Sequence, residues 1–216
     1  MVKEFLEILS LDKTICSGLF ESVSYPWEIF ANLSEYIISL GKTLSREEYD
    51  YYEGDIWISR GAFVARSVSI KGPCIICKGA EIRHCAYIRG SVIIGKGCVL
   101  GNSCEVKSSI LFDGAQAPHF NYVGNSVLGA GAHLGAGAIT SNLKSDKTLV
   151  KANGVETGLK KLGAIVGDYA EIGCGVVLNP GAIIGKGSVV YPLSSVRGVV
   201  PSNSIYKKKG KIVRRV

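Results

Sequence analysis

Residues 58–112 read ISRGAFVARSVSIKGPCIICKGAEIRHCAYIRGSVIIGKGCVLGNSCEVKSSILF. Steps of six from Ile58 land on Val64, Ile70, Ile76, Ile82, Ile88, Ile94, Leu100, Val106 and Phe112, apolar every time. Two places before most beats the side chain is small or β-branched: Ala62, Val68, Cys74, Ala80, Ala86, Val92, Cys98 and Cys104. A helix repeats its buried face about every 3.6 residues and a strand about every two, so neither alone gives a beat of six. Short parallel strands joined by tight corners and wound as a solenoid do.

Outward from this stretch the beat slips by four residues after Phe112 and resumes at Tyr122, Leu128, Leu134 and Thr140. A polar insertion near 143–162 interrupts it, and it returns as Val166, Ile172, Leu178, Ile184, Val190 and Val196. Three regions follow: an N-terminal helical cap or linker at 1–54, a β-helix at 55–200 carrying the insertion, and a basic tail at 201–216. Cys74, Cys98 and Cys104 are expected as small core residues. In the first region Pro26 starts a helix with Ile29, Phe30, Leu33, Ile37 and Leu40 on one face and Gly41 as its stop. A second helix start is read at Ser45, with Glu48 three residues on as a capping box. These helices are expected to cover the open end of the solenoid, whose bare strand edge invites aggregation.

An apolar share of 47% over 216 residues suits one folded domain rather than disorder. No run approaches the roughly 18 apolar residues of a membrane span, and Glu4 and Glu7 sit where a signal peptide is uncharged. A cytoplasmic protein without membrane contact is expected. Seven cysteines, an odd set, fit reduced thiols. Cys74 and Cys77 with His84 and Cys85 permit a zinc reading, but the repeat already accounts for several cysteine positions, so no metal is expected. Most of the net charge of +7 lies in KKKGKIVRRV at 207–216. A solvated tail or attraction to a polyanion such as coenzyme A both fit; nucleic acid is not expected, since beyond Tyr206 the tail has no aromatics for stacking.

The six-residue pattern resembles that of the hexapeptide-repeat acyltransferases, in which three beats make a coil of 18 residues; a coil of that length stacks Lys71, Arg89 and Lys107 on one edge. At a strand spacing of about 4.8 Å, neighbouring cations repel by roughly 0.8 kcal/mol in bulk water and roughly 3 kcal/mol at a surface-like dielectric. A phosphate or carboxylate between Arg89 and Lys107 turns that repulsion into charge-assisted hydrogen bonding. His119 follows Pro118 where the rhythm slips, so an ionisable imidazole joins the cationic edge.

The runs PHFNYVGNSVLGAGAHLGAGAITSN, GDYAEIG and NPGAIIGKGSVVYP resemble the acetyltransferase half of the bifunctional N-acetylglucosamine-1-phosphate uridylyltransferases and their archaeal sugar-phosphate relatives. The resemblance runs from Arg89 to about residue 200, and YPWEIF resembles the archaeal linker. It implies an all-β, left-handed parallel β-helix of hexapeptide repeats, a homotrimer, and an acetyl-CoA-dependent N-acetyltransferase acting on an amino-sugar 1-phosphate of the glucosamine or galactosamine type. The family's general base falls on His119 and the carboxylate near it on Glu105. Its phosphate and sugar contacts fall on Arg89, Lys107, Tyr122 and Asn142, and its acetyl-CoA contacts on Ala136, Cys174 and Lys209. Three positions depart from the family: His133 replaces an asparagine, Leu143 replaces an aromatic residue, and the insertion displaces a family lysine. His133 is read either as a substrate contact or as a surface residue. The glycine-rich start of the nucleotidyltransferase half is missing from this sequence, so uridylyltransfer is not expected. A non-catalytic trimeric binding module is the alternative.

Overall fold

The computed structural model describes residues 7–21, 23–207 and 210–215. Its strands stack into three parallel faces. The first runs through Ile56–Ser59, Cys74–Ile76, Val92–Ile94, Ser109–Leu111, Val127–Leu128, Ala164–Val166, Ala182–Ile184 and Val199–Val200. The second runs from Phe63–Val64 to Ser204–Tyr206, and the third from Ser69–Lys71 to Ser195–Val196. A coil visits the three faces in that order, giving the parallel β-helix expected of the hexads. Ile76, Ile82, Ile88, Ile94, Leu100 and Val106 all point inward and are wholly buried. So are Cys74, Cys98 and Cys104, as expected of small core residues.

The slip in the beat differs from its sequence reading. Ile94 pairs with Leu111 and Ile110 with Val127, while Leu100 pairs with Ala117 and Val106 with Val123. Two coils are therefore one residue short, and no single gap of four exists. The loss falls at the corner between the third and first faces. There Gly90 and Ser91 both take positive φ, whereas the next two coils turn through Ser108 and Asn125 alone. Phe112 and Tyr122 consequently leave the inward beat. Phe112 lies on the outside of the first face, edge-on to Phe20 with ring centroids 5.5 Å apart. Tyr122 faces outward on the third.

The N-terminal segment does not close the open end. The helix α1 (Ser17–Glu21), a short 3-10 turn at Glu28–Ala31 and the helix α2 (Leu33–Thr43) lie along the outer side of the first face. Leu19, Phe20, Ile29, Leu33 and Ile37 pack there with Ile75, Ile93, Ile110, Phe112, Val127 and Ile165. The cause is legible once the faces are assigned: only the first face is apolar on both sides, as the wholly buried runs Cys74–Ile76 and Val92–Ile94 show. The Ser45 capping box starts no helix; its hydroxyl accepts the Glu47 N–H at 3.2 Å and the chain enters strand Tyr49–Tyr52, antiparallel to Ile56–Ser59.

Cys74 lies inside the coil and Cys77 outside it beneath the helices, so the two thiols of the zinc reading face opposite sides. Burial pushes the Cys77 thiol up to about 11 and Cys74 higher still. The insertion folds as a hairpin, Lys151–Ala152 against Val155–Glu156, seated on Trp27 through Val150, Ala152 and Leu162. At the far end, Ile212–Arg214 turns back on Ser204–Tyr206. No described helix is long and apolar enough to cross a membrane.

Candidate active site

The outer side of the third face carries alternate residues of each strand, because side chains in a strand point to opposite sides in turn. Lys71 pairs with Arg89, and the register Glu105 to Tyr87, Val106 to Ile88 carries Lys107 to the next rung, so the expected basic ladder forms. The shortened coil then sets Gly124 beside Lys107, and the ladder ends. A Cβ on Gly124 would lie 2.5 Å from Tyr122 Oη. Glycine at this rung therefore lets the Tyr122 ring lie back over the face.

The ladder acquires a further cation from the insertion. Leu143 bridges antiparallel to Lys161, which brings the Lys161 charge to Lys107. The Lys107 ammonium is held below its usual range by burial first, then by Lys161 and by Arg89. Sequence reading missed Lys161, since a hairpin of unknown geometry separates it from every repeat. Arg89 gives its Nη1–H to Glu105 Oε1 at 2.5 Å, and this bond raises the guanidinium pKa further. Tyr122 is raised by partial burial and by Glu105, while a hydrogen bond with Asn142 opposes the rise. Asn142 in turn donates Nδ2–H to Asn125 Oδ1 at 2.7 Å. Arg89, Glu105, Lys107, Tyr122 and Asn142 thus form one cluster with Lys161.

His119 stands at the corner where the second face turns into the third. The Phe120, Gly137, Gly175 and Leu193 N–H groups each donate one coil back, to the carbonyls of Asn102, His119, Ala136 and Cys174. His119, Ala136 and Cys174 therefore form one column on one edge. Phe120, Gly137, Gly175 and Leu193 all have φ between 52° and 71°, a region in which a side chain is strained and glycine is not. Between the exposed Phe120 and Leu193 the corner carries only the glycines Gly137 and Gly175, next to Ala136 and Cys174, and the Leu193 side chain lies against Gly175. Asn121 fixes the display of His119. Its buried amide donates to the Gly135 and Ala138 carbonyls at 2.8 and 3.1 Å, and its Oδ1 accepts the His119 backbone N–H at 3.0 Å. The imidazole itself is exposed and bonds to no group among the described residues.

Two candidates stand apart from this arrangement. Glu105 makes its ion pair with Arg89, and no hydrogen bond joins it to His119 among the described residues. His133 lies on the outer second face, where its Nδ1 meets Glu171 Oε2 at 3.0 Å. Lys209 lies outside the described residues. Among those described, no three His, Cys, Asp or Glu side chains converge on a metal position.

The model of the GMPPB C-terminal domain family matches residues 70–158. The bifunctional protein GlmU of Methanococcus maripaludis strain C7 is 34% identical over 98% of this chain and 53% of its own length. This chain is a hexapeptide-repeat protein resembling the C-terminal acetyltransferase half of GlmU. The strain C5 GlmU is 31% identical over the same shares, so the chain spans about half the length of the curated relatives it matches. A bifunctional sugar-1-phosphate nucleotidylyltransferase/acetyltransferase of Sulfurisphaera tokodaii is 36% identical over 48% of this chain and 27% of its own. Among solved structures, AntD, an N-acyltransferase from Bacillus cereus, is 18% identical over 74% of this chain and 80% of its own, with a TM-score of 0.42.

Proposed function

We propose that this GlmU-like chain transfers an acetyl group from acetyl-CoA to the amine of an amino-sugar 1-phosphate of the glucosamine or galactosamine type. The observation that carries the reading is the cation cluster and the free imidazole of His119 at the two edges of one face. The rows of Glu105 and Lys107 lie two residues apart along a strand, about 7 Å, and Arg89 reaches back across that gap to Glu105. A sugar phosphate is placed with its phosphoryl end on the Lys107 row and its ring reaching back past Glu105 toward the His119 corner. Arg89 and Lys107 hold its phosphoryl group with Lys161 behind them, Tyr122 and Asn142 meet the ring, and the amine faces His119.

In the reaction the neutral amine attacks the thioester carbonyl, and His119 takes the amine proton as the C–N bond forms. Imidazole, with an unperturbed pKa of about 6.5, suits this role near neutral pH. The tetrahedral intermediate collapses by breaking the C–S bond, and the imidazolium returns the proton to the departing thiolate. No covalent enzyme intermediate is needed. The corner glycine amides are already engaged in the coil-to-coil bonds, whereas the Ala136 N–H donates to no group among the described residues and is the better oxyanion donor. The thioester lies against the glycine corner beside Ala136 and Cys174. A homotrimer and a cytoplasmic setting belong to the same proposal.

The test is CoA release with acetyl-CoA and either glucosamine-1-phosphate or galactosamine-1-phosphate. Turnover that His119→Ala lowers by about 10²-fold or more supports the reading. Folded wild-type protein without turnover on either sugar, or a His119→Ala variant at full rate, contradicts it.

A further inference from the structure

The basic ladder is one rung longer than a single phosphoryl group needs. Lys71, Arg89 and Lys107 stand on successive coils of the third face, about 4.8 Å apart. The phosphate position described above uses Arg89 and Lys107 with Lys161 behind them, and Lys71 has no part in it. Among the described residues the Lys71 ammonium makes no ion pair; it rests over the Tyr87 ring, 5.8 Å from the centroid. The Arg89 guanidinium lies 5.9 Å from the same centroid, so two cations on adjacent rungs converge on one half-buried ring. Glu105, which pairs with Arg89, is one coil further on, on the side away from Lys71. Like charges at this spacing repel, and among the described residues no carboxylate stands between them. Ser69–Lys71 is also the end strand of its face, so a ligand that runs down the ladder past Lys71 meets no further strand of it.

We propose that Lys71 and Arg89 form a second anion position, so that the ladder holds both phosphoryl groups of a nucleoside-diphosphate amino sugar, a second acceptor class for the same acetyl transfer. The proposal rests on the phosphate position assigned to Arg89 and Lys107 and on the transfer assigned to His119. The sugar-bearing phosphoryl group keeps its place between Arg89 and Lys107, with the ring reaching toward the His119 corner. The phosphoryl group joined to it through one bridging oxygen leaves on the side away from the sugar and falls between Arg89 and Lys71, one coil down. Arg89 serves both, because a planar guanidinium offers donors along two edges. On the Lys71 rung, charge-assisted hydrogen bonds replace repulsion between cations. The nucleoside then continues past the end strand, and the ladder makes no demand on its base. A sugar 1-phosphate and a nucleoside-diphosphate sugar each carry about two negative charges at pH 8, the first on one phosphoryl group, the second divided between two. Total charge therefore does not separate them; only its spread along the ladder does. The transfer step is unchanged: the C–N bond forms, the C–S bond breaks, and the amine proton passes through His119 to the departing thiolate.

The experiment is calorimetric titration of glucose 1-phosphate, UDP-glucose and ADP-glucose at pH 8 and physiological salt, where a Debye length of about 8 Å screens charges that are not in contact. These compounds lack the amine and report binding alone. Wild-type protein is expected to bind all three. Lys71→Gln should weaken both nucleotide sugars about three- to fivefold and glucose 1-phosphate less than twofold, and Lys71→Arg should restore the nucleotide sugars. CoA release with UDP-glucosamine should show the same loss in KM with kcat kept. Equal losses on all three compounds, or nucleotide sugars that bind regardless of Lys71→Gln, overturn the second position. Nucleotide sugars that fail to bind while glucose 1-phosphate binds overturn it as well and leave the sugar-phosphate reading intact. Binding of none of the three overturns both. Turnover of glucosamine-1-phosphate without turnover of bound UDP-glucosamine overturns the second acceptor class. Lys71-dependent binding with CoA release from neither amino sugar refutes the acetyl-transfer reading and leaves the anion position standing.

Discussion

Asn121 stands two residues past His119, its amide turned into the solenoid and the histidine turned out. Three of that amide's bonds fix where His119 leaves the coil. Asn121→Ala leaves the Ala138 carbonyl without this donor, while Gly135 keeps the Ala138 N–H, and a buried group so orphaned costs about 1–3 kcal/mol. Urea unfolding should show a loss of about that size, with turnover falling further than His119 occupancy of its fold alone explains. At Lys107 the prediction concerns protons. Its ammonium is depressed in the folded chain, so the protonated lysine weakens the fold, and that penalty is relieved as pH rises through its folded value. A bound phosphoryl group reverses the shift. Between the depressed value and the ordinary 10.5, phosphate binding should therefore take up protons. Titrations in two buffers of different ionisation enthalpy measure that uptake, and Lys107→Met should abolish it. The stacking of Lys71, Arg89 and Lys107 was legible once the family resemblance grouped the six-residue beats into coils of 18. The Arg89–Glu105 pair was not, because it joins neighbouring strands diagonally, and the period says nothing of side-chain direction along a strand.

At the scale of elements, the corners decide what the site contains. Losing one residue at the Ser108 corner turned Tyr122 outward and put Gly124 on the ladder. A slip read as one gap of four had kept Tyr122 on the inward beat; hydrophobic counting cannot place a deletion when Phe112 and Leu111 are adjacent and both apolar. Gly124→Ala should push the Tyr122 ring off the face, weakening sugar-phosphate binding several-fold while thermal unfolding changes far less, since the ring is only half-buried. Of the helices, only α2 and the turn before it were found from the Pro26 stretch; α1 was missed, the Ser45 start gave none, and the expected surface was wrong. Their apolar stripe calls for a partner, and only the assignment of Ile75, Ile93 and Ile110 to an outer side identifies it. Phe112→Ala removes the edge-on contact with Phe20 at this seam. A loss of about 3–5 kcal/mol in chemical unfolding is expected, with turnover at permissive temperature preserved, because the seam lies on the first face and the site on the third.

Over the whole molecule the proposed site follows from repetition. Each coil offers the same outward positions about 4.8 Å further on, so a site is written as a column: cations down one edge of the third face, small residues and His119 down the other. The solenoid and its core were readable because every coil repeats the same inward demand. The insertion was not, since it occurs once, and it is the insertion that brings Lys161 to Lys107. The most direct test is a crystal structure of the protein with CoA and glucosamine-1-phosphate bound together. The phosphoryl group should lie between Arg89 and Lys107, with Glu105 turned away from Arg89 and the amine within hydrogen-bond reach of His119. A phosphoryl group bound elsewhere, or an amine directed away from the His119 corner, contradicts the account.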